Sequence, residues 1–185
     1  MIVCAGRNEI IAYATPIGVG LVEASMGLMR ICLQEYIESL VFVGSAGSYS
    51  YELPLLSLCI STRATQIESS FVSGDSYTPL DNCIENNVSQ ETFRAKYRYL
   101  RDVVVNSSNY ITTDSRICAA MCGAGIMLEN MEFFAILRVA QEFNIPAYGV
   151  FCITNYCDAN AQKDFMANHT LAKKALENFL QVQKL

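Results

Sequence analysis

Residues 126–154, IMLENMEFFAILRVAQEFNIPAYGVFCIT, contain a predicted strand, helix and second strand in close succession. Residues 126–129 have the length and apolar character of a buried strand, and residues 131–144 place apolar side chains at helical spacing. Pro146 follows this helix, and an apolar strand then extends over residues 147–154. A strand–helix–strand unit of this size is typical of a largely parallel sheet that is covered by helices.

The rest of the chain continues this alternation of short apolar runs and amphipathic segments. Further strands are predicted at residues 1–4, 10–15, 40–44, 56–61 and 102–106. Helices are predicted from Leu21, after an Asp114 cap through Cys122, and over residues 168–182. Residues 73–91 are predicted to form a surface loop, with a short helix near residues 89–97. We therefore predict an α/β fold with a central, mostly parallel mixed sheet flanked by helices.

Composition and charge narrow the class of protein. The chain has 185 residues, of which 52% are hydrophobic and 17% charged, as expected for a globular protein with a sizeable core. Its net charge of -5 does not indicate the positively charged surface that nucleic-acid-binding proteins have. Since neither a signal-peptide pattern nor a membrane-length apolar run occurs, we expect a cytoplasmic protein that does not bind membranes.

The eight cysteines and the single histidine, His169, do not form a metal-binding pattern. No two cysteines have C-x-x-C spacing, so we expect no metal site. Several cysteines fall within predicted strands or helices, which indicates buried thiols in a reducing compartment and not a disulfide framework. His169 is interpreted as a surface or helix-capping residue.

Polar residues that follow predicted strands are the candidate site residues, because ligands of such sheets bind at the carboxyl ends of strands. The turn Gly44-Ser-Ala-Gly-Ser48 can present N–H and hydroxyl donors to an anion or a polar oxygen. Glu132 borders a very apolar stretch and needs a partner, for which a sugar diol is suitable. Asn155 ends an apolar strand and can donate to and accept from a heteroaromatic base. Each feature alone also fits a structural role, as a strand-end turn, a helix N-terminal carboxylate or a turn asparagine.

Together these segments resemble the nucleoside phosphorylase/nucleosidase family. Gly44-Ser-Ala-Gly47, Asn130-Met-Glu132 and Ile153-Thr-Asn155 are similar to the family's G-[ST]-[AC]-G, E-M-E and S-D motifs, in the same order. The strand leading to Tyr110-Ile111 also resembles the family. The resemblance implies a single-domain phosphorylase/hydrolase-like fold over residues 1–185. It further implies an enzyme that cleaves the N-glycosidic bond of a purine nucleoside, and a homodimer or larger even homo-oligomer.

The family pattern also implies roles for individual residues. Ser45 would contact phosphate or the attacking water, Glu132 would bind the 2′ and 3′ hydroxyls of ribose, and Asn155 would hold the base. The implied catalytic residues are Asn155, Glu132 and Ser45. The implied substrate-binding residues are Met131, Tyr110, Ile111, Ser61 and Gly47, and the phosphate-binding residues are Gly6, Arg7 and Ser45.

Departures from the family pattern bear on the reaction. Asn155 stands where many relatives have an Asp that protonates the base. An amide supplies no proton but can bind a departing base. Some purine-specific members of the wider family are similar in using Asn at this position, and this resemblance implies a 6-oxopurine. Asn130 replaces the first Glu of E-M-E, and Phe42 stands where phosphorylases often have a phosphate-binding Arg. Nucleosidase relatives have a water-activating carboxylate a few residues after the first-strand glycine, and Glu9 is near that position without matching it.

The presence of Arg7 and the apparent displacement of Glu9 favour phosphorolysis. We therefore expect a purine nucleoside phosphorylase-like salvage enzyme with inorganic phosphate as co-substrate and no other cofactor. One alternative is a nucleosidase of the methylthioadenosine/S-adenosylhomocysteine type. The other is a degenerate relative that binds nucleosides without turning them over.

Overall fold

The computed structural model describes residues 1–86 and 96–183. Its strands in these residues are β1 (Ile2–Cys4), β2 (Thr15–Pro16), β3 (Leu40–Ser48), β4 (Leu58–Thr65), β5 (Cys83–Glu85), β6 (Arg101–Asn106), β7 (Ile126–Glu129) and β8 (Ala147–Tyr156). The helices are α1 (Gly20–Cys32), α2 (Ser69–Val72), α3 (Ser115–Gly123), α4 (Phe133–Glu142) and α5 (Ala161–Gln183), with a 3-10 turn at Arg7–Glu9. Among the described residues, no helix is long and apolar enough to span a membrane.

Most predicted elements are confirmed, and the differences have local causes. The strand predicted over residues 10–15 is wrong, because only Thr15–Pro16 pairs with β1. Ile11 lies in a turn and its side chain is buried. Its carbonyl accepts a hydrogen bond from the Ala14 N–H. The final helix begins at Ala161, earlier than predicted, because its first turns carry polar side chains that hide the apolar periodicity. β5 lies inside the predicted surface loop, and the helix predicted near residues 89–97 falls mostly outside the described residues.

The strands form one mixed sheet, as predicted. β3 runs parallel to β1 and β8, β6 runs parallel to β4 and β7, and β1 runs parallel to β2. Antiparallel pairs join β3 to β7, β4 to β5, and β4 to β8. The pairings β3–β7–β6–β4–β8 return to β3, so these strands form a closed ring in which each has partners on both sides.

β3 and β8 lie side by side and divide their side chains between two apolar cores. Phe42 and Phe151 belong to the core that also contains apolar residues of α1 and α4, whereas Val43 and Val150 belong to the core covered by α5. The Phe42 ring is fully buried, with its centroid 6.1 Å from that of Phe133. Burying an aromatic side chain contributes roughly 1.5–3 kcal/mol. Phe42 therefore packs in the core, at the position where phosphorylases often have a phosphate-binding arginine.

Candidate functional site

A cavity of about 240 Å³ lies where β1, β3, β7 and β8 end. We call it the central cavity. Its lining includes every predicted site residue except Ser61 and Tyr110: Gly6, Arg7, Ser45, Gly47, Ile111, Met131, Glu132 and Asn155. The described residues contain no group of three His, Cys, Asp or Glu side chains placed to hold a metal ion. The carboxyl ends of the strands thus gather segments that are far apart in the sequence.

Ser61 and Tyr110 lie outside the central cavity, so the structure does not bring these two predicted residues together with the others. Ser61 is buried in β4, and its hydroxyl oxygen lies 2.6 Å from the Val103 carbonyl oxygen, at an irregularity in the β4–β6 pairing. Tyr110 is 78% exposed and lines a separate, larger surface cleft. Its neighbour Ile111 borders both spaces. In this chain Ser61 therefore supports the sheet, and the Tyr110 ring stands at the surface.

Glu9 makes a direct contact with the glycine-serine turn. The Ser45 hydroxyl donates a hydrogen bond to Glu9 Oε1 at 2.6 Å, and both residues line the central cavity. Burial raises the pKa of the Glu9 carboxyl, and the Ser45 hydrogen bond and the charges of His169 and Lys173 partly oppose this rise. Residues Arg7–Glu9 form a 3-10 turn, which a residue count cannot anticipate, and this turn places Glu9 in the lining of the cavity.

Arg7 forms an ion pair and is largely exposed to solvent. Its guanidinium lies 2.9 Å from Glu23 Oε1, and its side chain is 71% exposed. The backbone of Arg7 has a φ of 57°, so the chain reverses here and leaves this side chain at the rim of the cavity. The predicted phosphate-binding arginine is thus already paired with a carboxylate of α1.

Glu132 is 2% exposed and stands at the start of α4. Its Oε1 accepts a hydrogen bond from the Gly20 N–H at 2.9 Å. Burial raises the pKa of Glu132 to about 7, and the negative charge of Glu9 adds to this rise. The two carboxylates therefore interact across the central cavity.

Asn130 shows why an amide fits the first position of the E-M-E segment. Its Oδ1 accepts hydrogen bonds from the N–H groups of Glu132 and Phe133, at 2.9 and 3.0 Å, and so caps α4. Its Nδ2 donates to the Ser45 carbonyl at 3.0 Å. One side chain thus fixes the position of Glu132 relative to the glycine-serine turn, and an ionised Glu at this position would supply the acceptor but not the donor.

His169 differs from its predicted role as a surface or capping residue. It lies well inside α5, is only half-exposed, and has its ring 5.0 Å from the ring of Phe165, which lines the central cavity. Its Nε2 is buried and has no hydrogen-bond partner among the described residues. With Glu9 and Ser45 it borders a very small second space behind the central cavity.

Glu129 is a site residue that sequence reasoning missed. It is 6% exposed, ends β7 and lines the central cavity beside Asn130. Because it follows the apolar residues of a short strand, it has the same sequence signature as an ordinary strand-end polar residue.

The sequence and fold were compared with those of known proteins. A family model described as the phosphorylase superfamily matches residues 2–182. No curated protein sequence matches the chain. Among solved structures, an Asp-to-Asn mutant of the methylthioadenosine nucleosidase of Helicobacter pylori, with 5′-methylthioadenosine in its active site, has a TM-score of 0.81 at 19% identity. That match covers 100% of this chain and 97% of the other.

Two further structures are similar. Futalosine hydrolase of Helicobacter pylori has a TM-score of 0.79 at 18% identity, covering 100% of this chain and 97% of its own. The Streptococcus pneumoniae MTA/SAH nucleosidase in complex with 8-aminoadenine has a TM-score of 0.77 at 14% identity, covering 97% and 95%. At these identities the likeness establishes the α/β fold with its mixed central sheet.

Proposed function

The chain belongs to the phosphorylase superfamily, and on that premise we propose that it is a purine nucleosidase, which cleaves the N-glycosidic bond with water as the nucleophile. The observation that carries this proposal is the hydrogen bond from Ser45 to the Glu9 carboxylate inside the central cavity. A carboxylate with a raised pKa is suited to accept a proton from water near neutral pH. Hydrolysis thereby replaces the phosphorolysis expected from the sequence.

The charges in the cavity also favour water over phosphate. Glu9, Glu129 and Glu132 all line it, and Arg7, the one Lys or Arg among the described residues of its lining, is paired with Glu23 at the rim. Carboxylates so placed repel a phosphate dianion. The same carboxylates stabilise a cation, and the ribose becomes cationic as the C1′–N9 bond breaks.

The proposed mechanism assigns one task to each side chain. Glu132 accepts hydrogen bonds from the ribose hydroxyls, as the family resemblance implies, and holds the sugar while C1′ gains oxocarbenium character. Water attacks C1′ and passes a proton to Glu9, which Ser45 orients. Asn155 donates a hydrogen bond to the departing purine. Since an amide has no proton to give, solvent protonates the base.

A nucleoside-binding protein without turnover is the second candidate, and Asn155 is the observation that favours it. Relatives with an acid at this position can protonate the leaving base directly, whereas Asn155 can only form a hydrogen bond to it. Binding would then persist although the leaving group is poorly activated.

The deciding experiment measures free purine released from inosine, guanosine, adenosine and 5′-methylthioadenosine, each with and without phosphate. We expect release at the same rate in both conditions, with a free sugar as the second product. Release that requires phosphate and yields a sugar phosphate would restore the phosphorylase. Nucleoside binding without any release would favour the second candidate.

The pH dependence of base release provides a separate prediction. Glu9 must be ionised to accept a proton, and the pKa of both Glu9 and Glu132 is raised, the latter to about 7. We expect kcat/KM to increase with pH through a limb near neutrality, well above the usual range of a glutamate. Initial rates across the acid and neutral range test this, with circular dichroism to verify folding at each pH. A rate already constant from mildly acidic pH upward would contradict it.

A further inference from the structure

A second, very small space adjoins the central cavity at Glu9 and Ser45, which border both spaces. We call it the rear space, and its polar lining is formed by Glu9, Ser45, His169 and Lys173. Its volume of about 10 Å³ is close to the least that can hold one water molecule. A water molecule in the rear space therefore has polar partners both on the side of the glycine-serine turn and on the side of α5.

One ring nitrogen of His169 is buried beside this space. His169 lies in α5 and borders the rear space, and its Nε2 forms no hydrogen bond with the described residues. An unpaired polar atom in a protein interior costs free energy, and such atoms usually pair with a protein group or an ordered water molecule. A water molecule in the rear space would provide this partner.

The Glu9 carboxylate has acceptor positions available for the same water molecule. The Ser45 hydroxyl donates to Glu9 Oε1 at 2.6 Å, and this is the one hydrogen bond that the carboxylate accepts among the described residues. Since a carboxylate has about four acceptor positions, Glu9 can accept from the nucleophilic water and from a second water molecule at the same time. The second water molecule can thus bridge Glu9 and His169 without displacing Ser45.

The positive charges near Glu9 oppose the effect of its burial. Burial raises the pKa of the Glu9 carboxyl, whereas the Ser45 hydrogen bond, the charge of His169 and the charge of Lys173 lower it, in this order of size. An ammonium group stays charged across the physiological range, but an imidazole loses its charge near neutral pH. The positive charge of His169 therefore depends on pH in the range where the reaction needs an ionised Glu9.

The groups that face Glu9 from the other elements do not supply a free positive charge. They are acidic or already paired, and comprise Glu129 at the end of β7, Glu132 at the start of α4, the Cys4 thiol of β1 and the Arg7–Glu23 ion pair. The two positive charges that lower the pKa of Glu9 both come from α5.

We propose that His169 is a positioning residue for Glu9, which it contacts through one water molecule in the rear space and which it keeps ionised when its imidazole is protonated. The reaction needs this support, because an ionised Glu9 accepts the proton of the nucleophilic water while burial favours the protonated form. The inference rests on the proposed nucleosidase function. It adds to that site a residue that belongs to none of the family motifs in the chain.

The contact between the two residues can be tested without turnover. His169 is the only histidine of the chain, so its imidazole signals in an NMR spectrum need no assignment. We expect the proton affinity of this imidazole to be at least about fivefold lower in Glu9→Gln than in the native protein, because a nearby negative charge is lost. Glu38→Gln, at an exposed position, should change it less than about twofold. Equal affinities in the native protein and Glu9→Gln would overturn the proposal.

The pH dependence of base release tests the role of His169 in the reaction. In His169→Gln the amide can still bind the water molecule but carries no charge. We expect kcat/KM to fall at least about fivefold at mildly acidic pH, where an imidazole is protonated, and to stay within about twofold of the native value at alkaline pH. Lys174→Gln removes a positive charge from an exposed position of α5 and should stay within about twofold at both. Circular dichroism verifies folding of each variant.

A purely structural role of His169 would give a different result. If His169 only packs against Phe165, its replacement lowers kcat/KM by the same factor at every pH, which would overturn the proposal. If the native protein releases no base but the imidazole responds to Glu9→Gln as expected, the nucleosidase is refuted and the contact between Glu9 and His169 is supported. Base release beside an imidazole that does not respond would support the nucleosidase and overturn the role of His169.

Discussion

Replacing Glu9 with glutamine is expected to slow base release by at least about 10³-fold, within the range typical of a lost general base. Glutamine has nearly the same shape and can still accept the Ser45 hydrogen bond, but it cannot accept a proton from water. Because Glu9 acts on the nucleophile, the loss should fall on kcat, and the affinity for the nucleoside should change little. Single-turnover release and equilibrium binding, measured side by side, distinguish the two quantities.

Glu38→Gln is the matched control for this experiment. Glu38 lies exposed before β3, and its replacement makes the same chemical change away from the cavity. If Glu9→Gln and Glu38→Gln release purine at comparable rates, Glu9 is not the base, and another group must activate the water.

Replacing Glu132 with glutamine is expected to lower kcat/KM by about 10²- to 10³-fold, through weaker contacts with a sugar that becomes cationic in the transition state. The change keeps the side-chain oxygen that accepts from the Gly20 N–H. It removes the negative charge, so the loss should be greater for kcat/KM than for binding of the free base. An unchanged kcat/KM would remove Glu132 from sugar binding.

The same variant should change how stability depends on pH. The pKa of Glu132 is raised to about 7 in the folded protein, against an ordinary value of 4.5. Its contribution to folding is therefore fully present at acidic pH and is lost as the pH rises through about 7. The raised pKa corresponds to at most roughly 3 kcal/mol of unfolding free energy. Denaturant titrations at acidic and alkaline pH should show this loss in the native protein and a smaller one in Glu132→Gln.

Catalysis and folding stability favour opposite ionisation states of Glu132 in the native protein. Ionised Glu132 serves the reaction but weakens the fold, whereas protonated Glu132 does the reverse. A Glu132→Gln protein that is inactive yet at least as stable as the native one at alkaline pH is the expected combination. If Glu132→Gln is instead both inactive and less stable than the native protein at alkaline pH, the substitution causes a general structural defect.

The strand, helix and second strand of residues 126–154 could be predicted from the sequence, because the apolar periodicity and Pro146 indicate the same elements. It failed at residues 10–15, where an apolar run is buried without pairing as a full strand. Periodicity reports burial, and here burial arises from a turn that packs Ile11 against α5. The family match over residues 2–182 agrees with the motifs found in the chain.

Site residues that belong to a sequence motif could be predicted, whereas those placed in the site only by the tertiary structure could not. Ser45, Glu132 and Asn155 lie in recognisable segments, and the structure brings them to one cavity. Glu9 depends on a 3-10 turn, and Glu129 depends on the register that places it beside Gly47. Neither feature has a sequence period, so neither could be located before the fold was known.

The closed ring of strands can form only late in synthesis, when β8 has left the ribosome. β3 leaves the ribosome long before its parallel partner β8, since Leu40 pairs with Ala147. Closing so long a loop is slow, and in the meantime β3 has an unpaired edge beside strongly apolar side chains such as Phe42. A chain truncated within β8 loses ring closure and Asn155 together. Such fragments would be released with an open edge that promotes aggregation, and without the residue that holds the base.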